Sequence, residues 1–279
     1  MLRIAVPNKG ALSETAIAML AEAGYATRRD SKQLHLIDAA NDVEFFYLRP
    51  RDIATYVASG ALDVGITGRD LLLDTRMPAR EIEALGFGNS TFRLAARPGR
   101  FSRIEDLEGV RVATAFPGLV DALLDERGVA VDIVPLDGAV ESAVELGVAD
   151  AVADVVETGT TLRQAGLEIF GDVLMESEAV LIGAPTEAPG TDRLLRRLRG
   201  VMVARRYVMV DYDLPVALLD QATEIAGGIE SPTVSPLRDP EWVAVRVMVP
   251  RQGMNRVMDE LYELGARAIL VTAIDNARL

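Results

Sequence analysis

The sequence predicts an α/β protein with two similar lobes followed by a separate C-terminal domain. Three observations lead to this prediction. Strand-like and helix-like segments alternate through residues 1–210, two stretches of that region resemble each other, and the remaining residues follow another order. Alternating strands and helices are typical of a mainly parallel sheet, whose ligands bind outside the carboxyl ends of the strands.

The first lobe is predicted from residues 1–90 and 179–210. RIAVP reads as a buried strand, and the next segment as an amphipathic helix with Ser13 as N-cap and Gly24 near its end. Two strands follow (QLHLID and VEFFYLR), and after them a helix (RDIATYVASG) and a further strand (LDVGITG). The helix DRLLRRLRGVMVARR is expected to return the chain to this lobe after an insertion.

The second lobe, residues 91–178, repeats the alternation of strands and helices. VRVATAF, VDIVPL and ADAVADVV read as strands, separated by the helices LVDALLDERG and AVESAVELG. The segments FRLAAR and SEAVLIGAP are expected to pair as the strands that cross between the lobes. Residues 45–70 also align without gaps on residues 132–157, which matches Gly60 with Gly147, Asp63 with Asp150, Thr67 with Asp154, and Asp70 with Glu157. A repeat of this kind implies two lobes with strand ends facing a cleft, where small ligands bind.

Residues 211–279 read as strand, helix, two strands, helix and strand, with Pro215 opening the first helix. The order βαββαβ is the ferredoxin-like pattern. Such domains often sense small ligands or form oligomer contacts, although a fold does not fix a function.

Composition excludes several kinds of chemistry. The chain has no cysteine and a single histidine, His35, which lies in a strand-like stretch and is interpreted as structural. Disulfides, thiol nucleophiles, Ser-His-Asp catalysis and histidine-rich metal hydrolysis are therefore not expected. Carboxylate chemistry remains, or a substrate with its own leaving group and a loosely held Mg²⁺.

The net charge of −13 argues against a nucleic-acid surface. No run approaches the about 18 uncharged apolar residues of a membrane helix, and the N-terminus lacks the pattern of a secretory signal. We therefore expect a cytoplasmic protein with neither a membrane nor a nucleic-acid partner. A polyanionic substrate would have to meet a local basic group, for which Lys9, in the loop after the first strand, is a candidate.

The segment ADVVETGTTLRQAG predicts a phosphate site. It passes from a strand through a turn rich in Gly and Thr into a helix, where free backbone N–H groups and hydroxyls can bind an anion. Asp154 and Glu157 precede the turn and would address ribose hydroxyls or Mg²⁺, because carboxylates repel phosphate. The alternative is a plain turn in which Thr160 or Thr161 is only a helix N-cap.

The surroundings of this turn resemble the ATP phosphoribosyltransferase family. The spacing of its signature is met by Glu141, Gly147, Ala149, Val152, Asp154, Val155, Thr158, Gly159, Thr161 and Leu162. The resemblance extends to VPNKGAL, to FYLRPRDIATYVASGALDVGITGRDLL and to YDLPVALLDQATEIAGGIESPTVSPL, and so covers nearly the whole chain.

The resemblance implies an activity and an architecture. Members transfer the 5-phosphoribosyl group of phosphoribosyl pyrophosphate (PRPP) to N1 of the adenine of ATP and release pyrophosphate, the first step of histidine biosynthesis, with Mg²⁺ as cofactor. Their two catalytic lobes are similar to periplasmic binding proteins. Long forms add a regulatory domain, here residues 211–279, which binds histidine as feedback inhibitor, and they form homo-oligomers from dimer to hexamer.

Site residues are assigned with this resemblance. Thr158, Gly159, Thr160 and Thr161 are expected to bind the PRPP 5-phosphate, and Asp154 the ribose hydroxyls, with Glu157 assisting or touching Mg²⁺. On the opposite lobe, pyrophosphate and ATP are assigned to Lys9, Arg49, Arg51 and Asp70. Asp154, Glu157 and Lys9 form the catalytic set. Arg69 is a weaker candidate phosphate ligand. Histidine is assigned to Asp213, Ile229, Ser231, Thr233 and Ala268.

Two other functions stay open at this level. A two-lobed solute receptor or an intracellular amino-acid sensor would share the lobes but would not need the phosphate loop. A different PRPP-dependent transferase would share the loop but use another acceptor than adenine. The choice of adenine depends on the family resemblance alone.

Overall fold

The computed structural model describes residues 1–27 and 32–278. These residues form two compact units, Met1–Ala21 with Tyr25–Asp192 and Glu22–Gly24 with Arg193–Leu279. Within the described residues, no helix combines the length and apolar character needed to span a bilayer. The α/β class is confirmed.

The first unit contains two sheets, and the first of them has the strand order β2-β3-β1-β4-β11-β5. Its strands are β1 (Leu2–Pro7), β2 (His35–Asp38), β3 (Val43–Leu48), β4 (Val64–Gly68), β5 (Arg80–Ala84) and β11 (Ala179–Gly183). β1 runs parallel to β3 and β4, and β11 runs antiparallel to β4 and β5. The helices of this part are α1 (Ala11–Glu22), α2 (Pro50–Ala58) and α3 (Arg69–Asp74).

The second sheet has the order β10-β6-β9-β7-β8. Its strands are β6 (Ser90–Ala96), β7 (Arg111–Thr114), β8 (Asp132–Pro135), β9 (Ala151–Val156) and β10 (Glu168–Ser177), and its helices are α4 (Pro117–Asp125), α5 (Ser142–Glu145) and α6 (Thr160–Gln164). One apolar core packs α4 against the sheet, and a second core packs α5 and α6 against it.

The repeat predicted between the lobes is confirmed by topology and by local contacts. β3-β1-β4-β11-β5 in the first sheet corresponds, in direction and order, to β8-β7-β9-β6-β10 in the second. In each lobe an arginine forms an ion pair with the aspartate that the sequence alignment matched. Arg3 Nη2 lies 3.3 Å from Asp63 Oδ1 and donates to the Gly60 carbonyl. Arg111 Nε lies 2.9 Å from Asp150 Oδ2, and its Nη1 donates to the Gly147 carbonyl.

The predicted pairing of FRLAAR with SEAVLIGAP is wrong. FRLAAR belongs to β6, which pairs with β9 and β10, whereas AVLIG forms β11, which pairs with β4 and β5. The chain crosses between the sheets twice, from β5 to β6 and from β10 to β11. Both β5 and β10 escaped the sequence analysis because they lie at sheet edges and carry many polar residues.

Two predicted helix starts are also corrected. α1 begins at Ala11, so Ser13 lies inside the helix, and its hydroxyl donates to the Pro7 carbonyl at 2.7 Å. Pro215 is the last residue of β12 (Tyr207–Pro215), and a 3₁₀ turn precedes α8 (Leu219–Ile225). Serine and proline often open helices, but Ser13 and Pro215 do not do so here.

The second unit contains α7 from Arg193 onward (the helix spans Thr191–Arg206) and a four-stranded antiparallel sheet of order β13-β14-β12-β15. Its further elements are β13 (Thr233–Pro236), β14 (Trp242–Pro250), α9 (Met254–Leu264) and β15 (Arg267–Ala273). The predicted order βαββαβ is confirmed. Alternate residues of β12 and β14 pack with α8 and α9 in one apolar core, and the intervening residues face the other side of the sheet.

Candidate functional site

The predicted phosphate turn lies between β9 and α6. Gly159 precedes the helix with φ of +70°, in the left-handed region, and contributes no side-chain cap. A Cβ at this position would stand 3.3 Å from Ile169 Cδ1, so both backbone conformation and space favour glycine. Thr160 and Thr161 lie inside the first turn of α6. Neither threonine is therefore the helix N-cap, a position that Gly159 holds.

Side chains of the turn form a small polar cluster. The hydroxyl oxygens of Thr158 and Thr160 lie 3.0 Å apart. Arg163 bends back from α6 and donates to the Thr158 carbonyl at 3.1 Å. Sequence analysis gave no role to Arg163, although its spacing in the first turns of a helix would have allowed this contact. Arg163 places a positive charge beside the predicted phosphate position.

This turn borders a cavity of about 280 Å³. The lining residues are Glu141, Asp154, Val155, Val156, Glu157, Thr158, Gly159, Thr160, Thr161 and Leu162. All six residues predicted to bind PRPP are thus brought to one cavity. Glu141 is an addition: it was part of the family signature, but the sequence gave no reason to place its carboxylate beside Asp154.

Asp154 is the most perturbed carboxyl group of the cavity. Burial raises its pKa to about 6, and the negative charges of Glu141 and Asp70 act in the same direction. A hydrogen bond of 2.8 Å from the Val155 N–H to Oδ1 opposes this effect. Asp154 is therefore a poorly solvated carboxylate that gains from new hydrogen-bond donors.

Asp70 approaches Asp154 from the other lobe. It is 8% exposed, and burial raises its pKa. The Ser177 hydroxyl donates to Asp70 Oδ1 at 3.1 Å and also accepts the Asp70 N–H. The two carboxyl groups interact electrostatically, as expected if the carboxyl ends of β4 and β9 face one cleft.

The basic candidates also lie at the carboxyl ends of strands in the first sheet. Lys9 follows β1, and Arg49 follows β3, its parallel neighbour. Neither has an ion-pair or hydrogen-bond partner from its side chain among the residues that the structure describes. Arg51 differs, since it donates to Asp74 Oδ2 at 2.7 Å and to the Ala115 carbonyl at 2.6 Å.

Arg69 and His35 each contact a glutamate side chain. Arg69 Nε and Nη2 form a paired hydrogen bond with Glu81, at 2.9 and 2.7 Å, and Arg69 is not among the residues that line the cavity. His35 lies on β2 with Nε2 2.6 Å from Glu44 Oε1 and its ring against Phe46. These contacts agree with the structural interpretation of His35.

The predicted histidine-binding residues lie on or near one sheet of the second unit. Asp213 pairs with Ala244, and Thr233 pairs with Arg246, so both face the side of the sheet away from the helices. Ser231 and Ile229 precede β13 and are exposed. Ala268 has φ of +51° where the pairing of β15 with β12 is irregular. The structure places the five residues at the open face and edges of this sheet.

Within residues 1–27 and 32–278, no group of three or more histidine, cysteine, aspartate or glutamate side chains could hold a metal ion. Glu157, Asp154 and Glu141 line the same cavity but do not form such a group. A cation held here would take most of its ligands from a bound substrate, as Mg²⁺ usually does with phosphates.

The two-lobed fold and the turn rich in Gly and Thr are typical of one class, the α/β proteins that bind a phosphorylated small molecule between two lobes. Family models narrow this class. The model described as ATP phosphoribosyltransferase matches residues 49–200, and that of the HisG C-terminal domain matches residues 204–276. The chain belongs to the ATP phosphoribosyltransferase family, in the long form with a C-terminal domain.

Known proteins agree with this assignment. The chain is 61% identical to the ATP phosphoribosyltransferase of Paenarthrobacter aurescens and 60% identical to that of Streptomyces coelicolor, in both cases over 100% of each chain. The ATP phosphoribosyl transferase (HisG:HisZ) complex from Thermotoga maritima contains a similar fold, with a TM-score of 0.62 and 30% identity over 71% of this chain and 97% of that one. The protein is thus an enzyme that transfers the 5-phosphoribosyl group of PRPP to ATP and starts histidine biosynthesis.

Proposed function

We propose that PRPP binds in the cavity beside β9, with its 5-phosphate on Thr158, Gly159, Thr160 and Thr161. The observation that carries this proposal is the convergence of all four residues on one cavity of about 280 Å³. Backbone N–H groups and hydroxyls at such a turn bind phosphate oxygens well. Arg163, which donates to the Thr158 carbonyl, adds a positive charge to the same turn.

Asp154 accepts hydrogen bonds from the ribose hydroxyls in this proposal, and Glu157 assists it. A carboxylate that burial has left poorly solvated gains more from two hydroxyl donors than a fully hydrated carboxylate does. Glu157 is the side chain proposed to contact a Mg²⁺ ion that the pyrophosphate of PRPP would chiefly hold. Such an ion would supply neutralisation of the pyrophosphate charge.

The other lobe receives ATP and the leaving pyrophosphate. Lys9, Arg49 and Arg51 are proposed to bind their phosphate groups, and Asp70 the adenine or ribose of ATP. The support is their common position at the carboxyl ends of β1, β3 and β4, with Asp70 close enough to Asp154 to affect its pKa.

The chemistry requires positioning and charge stabilisation more than proton transfer. The anomeric carbon passes through a state with oxocarbenium character while the bond to pyrophosphate breaks and N1 of adenine attacks. N1 needs no deprotonation, and positive charge at the carbon is stabilised by nearby carboxylates. Asp154, Glu157 and Lys9 are the proposed catalytic residues, two for the sugar and one for the leaving group.

Regulation belongs to the same proposal. Residues 211–279 are proposed to bind histidine through Asp213, Thr233 and Ala268, with Ile229 and Ser231 beside them. Asp213 suits an ammonium group and Thr233 a carboxylate. The remaining features are the lobe boundaries 1–90 with 179–210 and 91–178, a cytoplasmic location, and a homo-oligomer from dimer to hexamer.

One assay tests the PRPP site. Purified enzyme is mixed with ATP, PRPP and Mg²⁺, pyrophosphatase removes the product, and ultraviolet absorbance follows the new nucleotide. Thr161→Val is expected to raise the KM for PRPP about tenfold, because a hydrogen bond to a charged group is lost. Thr55→Val, at an exposed position of α2, is the matched control and keeps the wild-type KM. Equal KM values for both variants would remove the phosphate role of this turn.

A further inference from the structure

The two lobes of the first unit meet where α3 ends and α4 begins. α4 starts with Phe116-Pro117-Gly118, and Phe116 provides no side-chain cap. Asp74, the last residue of α3, supplies one instead: its Oδ1 accepts the Leu119 N–H at 3.1 Å. A helix N-cap acceptor is normally local, so this one ties α4 to the opposite lobe. A Cβ at Gly118 would collide with the Asp74 backbone carbonyl, which shows how closely the two elements approach.

The second oxygen of the same carboxylate holds Arg51. Arg51 Nη1 donates to Asp74 Oδ2 at 2.7 Å, its Nη2 donates to the Ala115 carbonyl at 2.6 Å, and its guanidinium lies 5.0 Å from the centre of the Phe116 ring. The Asp74 side chain is 9% exposed and that of Arg51 is 42% exposed, so the carboxylate is shielded while solvent still reaches the guanidinium. Three partners thus fix the plane of one guanidinium group.

The guanidinium held in this way lies near enough to Asp70 for its charge to act on that carboxyl group. Arg51 lies at the start of α2, beyond the carboxyl end of β3, and its charge acts on Asp70. Of the five N–H groups of an arginine, two are used in these contacts. The other three have no partner among the described residues and remain available to phosphate oxygens.

We propose that Asp74 is a positioning residue of phosphoribosyl transfer. It holds the Arg51 guanidinium and the first turn of α4 in one geometry, so that Arg51 meets substrate phosphates only in the lobe arrangement that brings Asp70 and Asp154 together. This inference rests on the proposed phosphate role of Arg51. It adds a residue that itself touches no substrate.

A double-mutant cycle in the full-length enzyme tests the inference. Arg51→Gln is expected to lower kcat/KM by about 10–100-fold, the loss of a hydrogen bond to a charged group. Asp74→Asn keeps an oxygen for the Leu119 N–H but loses the ion pair, and is expected to lower kcat/KM about tenfold. Because Asp74 acts through Arg51, the double variant is expected to be no worse than Arg51→Gln alone.

The matched control lies in the same contact region between the lobes, where α3 ends and α4 begins; this region is called the joint below. Arg76 Nη2 contacts Asp121 Oδ2 at 2.7 Å, and both side chains are at least half exposed. Asp121→Asn removes an ion pair between the lobes without touching Arg51, and is expected to leave kcat/KM unchanged. If its effect equals that of Asp74→Asn, the joint is only structural and the inference is overturned.

The remaining outcomes separate this inference from the proposed phosphate sites. Multiplying effects in the double variant, or wild-type activity of Asp74→Asn, overturn the role of Asp74 while Arg51 keeps its role. Wild-type activity of Arg51→Gln overturns both, and leaves the PRPP turn untouched. If Asp74→Asn folds poorly in a thermal melt, Phe116→Leu provides the second variant. Removing the ring is expected to lower kcat/KM about two- to fivefold, again without further loss in Arg51→Gln.

Discussion

At the scale of single residues, the proposed sugar site depends on a carboxyl group that the free enzyme solvates poorly. Burial raises the pKa of Asp154 to about 6, and Glu141 and Asp70 add negative charge around it. No lysine or arginine in residues 1–27 and 32–278 forms an ion pair with Asp154. A poorly solvated carboxylate lowers the stability of the fold but can bind hydrogen-bond donors of a ligand strongly. This trade-off between stability and binding is common in active sites.

Asp154→Asn is expected to stabilise the enzyme in the absence of substrate at pH 8. The folded pKa is raised above the unfolded value, so ionised Asp154 destabilises the fold fully above about pH 6 and progressively less as pH falls towards 4. The melting temperature of the variant should exceed that of the wild type at pH 8, and the difference should shrink at pH 4. Asp125→Asn, on the exposed side of α4, should show no such trend. A variant less stable than wild type at pH 8 would contradict this account.

The same group predicts how activity depends on pH. Protonated Asp154 accepts hydrogen bonds from ribose hydroxyls less well, so kcat/KM for PRPP is expected to fall below about pH 6. The second ionisation of a phosphate monoester lies near the same pH, at about 6. Asp154→Asn retains the titration of the substrate and loses that of the enzyme. A pH profile of the variant parallel to that of the wild type would exclude Asp154 as the titrating group.

At the scale of elements, the turn between β9 and α6 is distinguished by its backbone conformation. Gly159 and Gly166 have almost the same φ, +70° and +69°, at the two ends of α6. Only Gly159 lines the cavity, and only there would a Cβ find a neighbour within 4 Å. The two glycines therefore form a natural pair for separating a backbone effect from a site effect.

Gly159→Ala and Gly166→Ala are each expected to destabilise the fold by about 1 kcal/mol, because alanine resists a positive φ, and Gly159→Ala by somewhat more, because its Cβ would stand 3.3 Å from Ile169 Cδ1. Gly159→Ala should in addition raise the KM for PRPP, since a shifted turn misplaces its N–H groups. Thermal melts and the coupled assay measure the two effects separately. Unchanged KM in Gly159→Ala, with the expected loss of stability, would show that the turn is structural.

At the scale of the whole molecule, histidine is proposed to bind on the face of the C-terminal sheet that lies away from α8 and α9. Asp213 and Asp211 share that face, but Arg246 Nε holds Asp211 at 2.6 Å, whereas Asp213 has no ion pair among the described residues. Asp213→Asn is expected to weaken inhibition by histidine at least tenfold, because the ammonium group loses its charged partner. The uninhibited rate should stay at the wild-type level.

Asp211→Asn is the control for this experiment and should keep normal inhibition. Inhibition curves of the three proteins, with sedimentation to record assembly size, decide the outcome. Normal inhibition of Asp213→Asn would remove this residue from the regulatory site. Wild-type enzyme whose activity and assembly are both indifferent to histidine would remove the regulatory role of residues 211–279.

The sequence by itself determined the features that local chemistry encodes. Alternating apolar segments predicted the α/β lobes and the βαββαβ order, and glycines at Gly60 and Gly147 marked helix ends of a repeat. The turn around Gly159, which is proposed to bind phosphate, was recognisable as a short contiguous run of small and hydroxyl residues. Each of these features depends on residues that are neighbours in the chain.

Only the tertiary structure decided the features that join distant residues. The pairing of β10 with β6 and β5 with β11 depends on register between edges, which a short segment does not specify. Glu141 reaches the cavity, Asp70 meets Ser177, and Asp74 caps α4 because folding brings together residues that are far apart in the chain. The raised pKa of Asp154 has the same origin, since burial and surrounding charge exist only after the lobes have formed.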